Sequence, residues 1–163
     1  MHLTFAPRGI LQIDDASITY KNFSGRAGKF NREGERSFSL ILDDQEIIDA
    51  LLKDTNKYGV AWNVRIKPPR EEGEEQFVHL PVKVKFNDYG PAVYLKTGDA
   101  VNKLDEESIS CLDNIDILAV DLDIRPYDDV INGKPYRSAY LKSIHVTQNV
   151  DRFAARYAER NDF

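Results

Sequence analysis

Apolar residues recur along this chain mostly at every second position. Residues 9–23 hold Ile10, Leu11 and Ile13, and beyond Asp14-Asp15 they hold Ala16, Ile18 and Tyr20 alternating with Ser17 and Thr19. Side chains alternate across a strand, so this predicts a β-strand with a bulge at the acidic pair. Phe38, Leu40 and Leu42 predict a second strand, and Val60, Trp62, Val64 and Ile66 a third that Pro68-Pro69 stops. Val78, Leu80, Val82, Val84 and Phe86 predict another, followed by a short one from Ala92 to Lys96. Leu118, Val120, Leu122 and Ile124 predict the next, with a return strand over residues 136–147. Asn132-Gly133 between these two is a strong hairpin signal. The loop from Tyr127 to Pro135 reads as longer than a two-residue turn.

Two stretches depart from this period. Ile47 with Leu51 and Ile48 with Leu52 form a stripe at i, i+4 that predicts a helix over 44–55. Asp43 would cap it, with Glu46 three residues on, and Asn56 and Gly59 would end it. Ile109 and Leu112 predict a second short helix over 105–113, capped by Asp105. Phe153 and Tyr157 predict a helical tail from Asp151. The expected class is mainly β: a small antiparallel barrel of the oligonucleotide-binding (OB) type with one inserted helix, a second short helix and a C-terminal helical tail. One domain would occupy residues 1–150, and residues 151–163 would form the tail.

Charge changes this picture. The formal net charge is −5, which excludes a uniformly basic nucleic-acid binder. Any phosphate contact must come from a local patch, and residues 21–36 supply one. Lys21, Arg26, Lys29, Arg32 and Arg36 oppose only Glu33 and Glu35 there, with Phe23 and Phe30 interleaved and three glycines between. Cations that track phosphates, together with rings that stack on bases, are what grips a single strand. In three predicted strands the phase opposite the apolar one also carries cations and no carboxylate. It holds Asn63, Arg65 and Lys67, then Lys83 and Lys85, then Tyr94 and Lys96. The best stacking candidates are Phe23, Phe30 and Tyr94, followed by Tyr127, Tyr136 and Tyr140. Loop 24–36 would close over the strand. Residues 105–123 hold seven carboxylates and no Lys or Arg, which predicts a separate acidic surface.

Other chemistry finds little support. Cys111 is the single cysteine, so no disulfide framework or cysteine-rich zinc site is available, which suits a reducing compartment. It has no activating base nearby in sequence and reads as a small core residue. His2, His79 and His145 lack metal-ligand spacing. His79 falls on the polar phase of its strand and reads as a surface residue. The N-terminus is no signal peptide and no stretch suits a bilayer, so the expected location is cytoplasmic, with no membrane partner. One enzyme alternative is a Mg²⁺-dependent nuclease using Asp116, Asp121 and Asp123. A further alternative is a protein-interaction module, such as an anti-defence protein, that uses the acidic surface to mimic nucleic acid.

The run from Ile18 through Tyr20-Lys21-Asn22-Phe23-Ser24-Gly25-Arg26 to Phe30-Asn31, continuing over Glu35-Arg36-Ser37-Phe38, resembles a segment of phage and prophage single-stranded-DNA-binding proteins. The stretch from Asp123 through Pro126-Tyr127, Asn132-Gly133-Lys134 and Ala139-Tyr140-Leu141-Lys142 is similar to their C-terminal half. The resemblance implies a non-catalytic OB-type protein that protects single-stranded DNA during phage replication or recombination in the bacterial cytoplasm, without a cofactor. It leaves open contacts with phage or host replication and recombination proteins, and homo-oligomers.

Overall fold

In a computed structural model, residues 1–150 are described. In chain order they form β1 (His2–Phe5), a 3-10 turn (Pro7–Gly9), β2 (Leu11–Ala16), β3 (Ile18–Asn22), β4 (Arg36–Ile41) and α1 (Gln45–Lys53). Then follow β5 (Arg65–Lys67), β6 (Phe77–Val84), β7 (Ala92–Thr97), β8 (Ala100–Leu104), a second 3-10 turn (Ile109–Asp113), β9 (Ile117–Ile131) and β10 (Lys134–Gln148). Residues 151–163, where the helical tail is expected, lie outside the described residues.

The longest element pair is the β9–β10 hairpin. Asn132 and Gly133 both take positive φ, 51° and 77°, as a type I′ turn requires, and Ile131 pairs directly with Lys134. The expected loop over 127–135 is therefore mostly strand. The flanking residues simply continue the ladder past the point where apolar alternation fades.

A single sheet runs in the order β1-β2-β9-β10-β6-β4-β3, with β5 on β6, β7 on β10 and β8 on β7. It is mixed rather than antiparallel, because β10 runs parallel to both β6 and β7. The ladder does not close on itself. Instead the chain spans the gap: β2 lies near one end of the strand order and β3 at the other, and only Ser17 separates them. The single strand expected over 9–23 is therefore two, β2 on β9 and β3 on β4; the bulge expected at Asp14-Asp15 lies just before the break, with Asp15 at φ 53° and a register jump against β9 between Ile13 and Ala16.

Alternation fills the interior. Leu11 and Ile13 of β2, Phe38 and Leu40 of β4, Leu80 and Val82 of β6, Leu122 and Ile124 of β9, and Leu141 and Ile144 of β10 are all buried in one core. Each such side chain is worth about 1.5–3 kcal/mol on burial. α1 adds Ile48 and Leu51, and the second 3-10 turn adds Ile109 and Leu112. That turn is shorter than the predicted helix over 105–113. The cap of α1 is Asp44, not Asp43: its carboxylate accepts the Glu46 N–H at 2.9 Å.

The predicted strand over 60–66 shrinks to the three residues of β5. Asn56 accepts the N–H groups of Tyr58 and Val60, which commits the backbone to a turn with Gly59 at φ 77°. Trp62 is buried, donates to Asp54 and lies under the Arg137 guanidinium at 5.0 Å. Arg137 in turn pairs with Asp128 at 2.8 Å. These contacts fasten the segment after α1 to one face of the β9–β10 hairpin and leave the other face open. Among the described residues no helix is long and apolar enough to cross a membrane.

Candidate nucleic-acid interface

β6 organises the site. Val78, Leu80, Val82 and Val84 point into the core, so Pro81, Lys83 and Lys85 lie on the opposite side. Lys83 is in register with Ser37 of β4 and with Tyr140 of β10, and Tyr140 is in register with Arg125 of β9. One row therefore crosses four strands. Lys83 Nζ lies 5.8 Å from the centre of the Tyr140 ring, and the Arg125 guanidinium lies 4.8 Å from it. Tyr127 meets Tyr140 edge-on at 5.8 Å and Tyr136 at 6.5 Å, so three phenol rings continue along the open face of the hairpin.

Loop 24–35 stands beside this row as an ordered tip. Asn31 Nδ2 donates to the carbonyls of Arg26, Arg32 and Glu35 at 2.8–3.1 Å. Gly25 sits where a Cβ would meet the Gly34 backbone at 3.0 Å, so the two arms of the loop close on glycine. Asp113 accepts the N–H groups of Phe23 and Ser24 at the loop's base. Burial alone would raise this carboxyl's pKa, but those N–H bonds and the nearby Arg26 charge hold it below the usual carboxylate range. The tip leaves Arg26, Lys29 and Arg32 exposed, with Phe30 92% exposed beside Lys29.

Between loop and row lies a groove of about 680 Å³, lined by Phe30, Arg36, Lys83, Lys85, Phe86 and Tyr140 among others. Lys85 is shared with a second groove of about 610 Å³, where Arg8, Arg125, Lys142 and Tyr89 gather with Asp123. Lys142 is the extra residue at a register jump between Leu141 and Ser143, and bulges re-aim side chains in this way. Gly9, at φ 75°, lets the turn carrying Arg8 approach the Pro126 ring; a Cβ there would lie 3.1 Å from it.

The predicted residues separate into groups. Phe30, Arg36, Lys83 and Lys85 meet in the first groove, and Arg26, Lys29 and Arg32 crown the adjoining loop. Arg65 and Lys67 lie towards the other end of β6, where Lys67 donates to the Tyr20 hydroxyl at 3.0 Å and Tyr20 packs edge-on against Phe77 and His79. Phe23 is fully buried and stacks on Phe38 at 5.3 Å, so it is core and not a base platform. Lys21 is spent on the carbonyls of Leu112 and Ile115. Tyr94 stacks on His145 at 4.7 Å, in a row with Asp121, and lines neither groove.

His79 is a further correction, being only 8% exposed and bonded to the buried Ser39 hydroxyl at 2.9 Å. Strands on both sides and the rings of Phe77 and Tyr20 cover the polar phase at that point. Burial, then the charges of Lys67 and Arg65, lower its pKa from the ordinary histidine value.

The carboxylates of the acidic stretch are divided among several local roles. Glu106 lines the first groove, Asp113 anchors the loop, Asp121 accepts the Asp15 N–H and Asp116 pairs with Asn149. Among the described residues no group of three His, Cys, Asp or Glu side chains converges on a metal position. Arg8, Tyr89, Arg125 and Lys142 join the candidate site without a signal in the predicted basic loop or strand phases. Arg125 is in phase with Tyr127 and could have been found that way, whereas the bulge hides Lys142 from any alternation argument.

A family model described as "Putative phage ssDNA-binding domain" matches residues 3–162. No curated protein matches the chain. The solved single-stranded DNA-binding protein from bacteriophage Enc34 superposes with a TM-score of 0.52 at 18% identity, covering 94% of this chain and 93% of that one. The same phage's protein in complex with ssDNA gives a TM-score of 0.51 at 14% identity, covering 93% of each chain. At such identities the likeness is one of fold.

Proposed function

The chain belongs to the phage ssDNA-binding domain family, and we propose that it holds a single strand along the outward face of β6, in phage replication or recombination, without chemistry on the DNA. The observation that carries this reading is the row of Lys83, Tyr140 and Arg125: two cations flank one ring across adjacent strands. Phosphates need cations at the edges of a path, and bases need flat apolar faces within it. A duplex hides those faces in its stack, so the row favours unpaired bases. Arg26, Lys29 and Arg32 of the loop, Phe30 at its tip, and Arg8 and Lys142 beyond Lys85 extend the path on both sides. Arg65 and Lys67, with Tyr20, would receive the strand at the far end of β6. We read the wrapped, unclosed sheet as an OB-type barrel whose opening is spanned by the β2–β3 corner.

Titration of a fluorescent dT oligomer at several salt concentrations tests the reading. Binding to single strands weakens with salt by a log–log slope of about 0.7 per phosphate neutralised. Lys83→Gln with Arg125→Gln should flatten the slope by roughly 1.4. A slope that stays at the wild-type value would remove the row from the site. The oligomer should remain intact with Mg²⁺ present; cutting that Asp121→Asn abolishes would replace this reading with the nuclease one.

A further inference from the structure

We propose that the Arg36 guanidinium is a phosphate site that Glu106 fills while no strand is bound. The proposal rests on the groove reading above and adds a competitor to it. Arg36 opens β4 on the groove wall, with its guanidinium 5.8 Å from the centre of the Phe86 ring. The side chain is only 17% exposed, so its five donors need partners inside the protein. They find few. Nη1 reaches Glu106 Oε1 at 3.3 Å and Nη2 reaches the Glu106 carbonyl at 3.4 Å. Well-made charge-assisted bonds are about 2.7–2.9 Å long. Nε is buried with no partner, and no other buried side-chain nitrogen or oxygen among the described residues is left so.

Glu106 is a loose occupant. It is 63% exposed, and among the described residues its carboxylate has only Arg36 as a partner. With one partner this exposed and the bonds this long, the pair contributes little. The other carboxylate lining the groove, Glu35, is already engaged by the Arg32 N–H. A phosphate offers several acceptor oxygens in the geometry that a guanidinium fork matches. Entering beside Lys83 and Lys85, it could displace Glu106, release that side chain to solvent and give the under-used donors better partners. Glu106 would thus keep a largely buried cation neutralised in the free protein and lower the affinity for single strands in exchange.

The test is anisotropy titration of a dT oligomer against wild type, Glu106→Gln, Glu107→Gln, Arg36→Gln and the Arg36→Gln/Glu106→Gln double variant. Glu106→Gln should lower Kd by about three- to fivefold, the worth of a long, partly exposed competing pair. Glu107→Gln removes the same charge from an exposed neighbour and should change Kd less than twofold, roughly. The Glu106→Gln gain should vanish when Arg36 is already Gln. Equal tightening by both Glu variants, no tightening by Glu106→Gln, or a gain that survives loss of Arg36 would each overturn the proposal. Both Glu positions are exposed, so their comparison stands even if Arg36→Gln fails to fold. A wild-type chain that ignores the oligomer would bring down the groove reading, and this proposal with it.

Discussion

Phe23 and Tyr140 show how differently two rings can be used. Phe23 lies fully buried against Phe38, whereas Tyr140 lies on the outward face between Lys83 and Arg125. Phe23→Ala is expected to cost about 3–5 kcal/mol of stability through transfer and cavity terms, with the oligomer Kd of the folded fraction unchanged. Tyr140→Ala should weaken binding by about 1–3 kcal/mol, the worth of one stacked base, with a smaller change in the urea midpoint. Measuring Kd and the midpoint for both variants separates the roles. His79 makes a third case, because burial and then Lys67 and Arg65 lower its pKa below the unfolded value of 6.5. The unfolded chain therefore binds this proton more readily, and stability is full above pH 6.5 and lost as pH falls through the lower folded value. Urea midpoints at several pH values should show this decline, and His79→Gln should reduce it.

Among the elements, loop 24–35 and the β9–β10 hairpin would frame the proposed path by opposite means. The loop is held by polar groups within and beside it: Asn31 spans three carbonyls, Asn22 of β3 accepts the Arg26 N–H, and Asp113 of the second 3-10 turn fastens the base. Its cations are thereby free to face a ligand. Replacing Arg26, Lys29 and Arg32 together by Ala should reduce the salt slope by up to about 2, with the thermal midpoint little changed because all three are exposed. An unchanged slope would take the loop out of the path. The hairpin instead is braced from behind, where Arg137 joins Asp128, Asp54 and Trp62. That bracing leaves Tyr127, Tyr136 and Tyr140 on the other face. β5 is short because the turn around Asn56 claims the backbone ahead of it.

For the molecule as a whole, a chain of net charge −5 cannot attract nucleic acid uniformly, so binding depends on where the sheet gathers its cations. Stacking on Tyr140 needs unpaired bases, so a dT oligomer should bind at least tenfold, roughly, more tightly than a duplex of equal length at the same salt. Equal affinities would leave only phosphate contact and would exclude ring stacking. Much of this was legible before folding. Alternation marked nearly every long strand, Asn132-Gly133 marked the hairpin turn, and the stripe over Ile47, Ile48 and Leu51 marked the helix, because each reports a local period or a backbone requirement. The basic loop was legible for a similar reason, as its charges are neighbours in sequence. Alternation tells which side of a strand a residue occupies, but neighbouring strands decide whether that side is open. Tertiary structure therefore covered His79, sank Phe23, diverted Lys21 to two carbonyls and carried Tyr94 to another row. It also brought Arg8, Arg125 and Lys142 to Lys85 and set Glu106 against Arg36, since contacts between residues 70 apart in sequence exist only once the chain has folded.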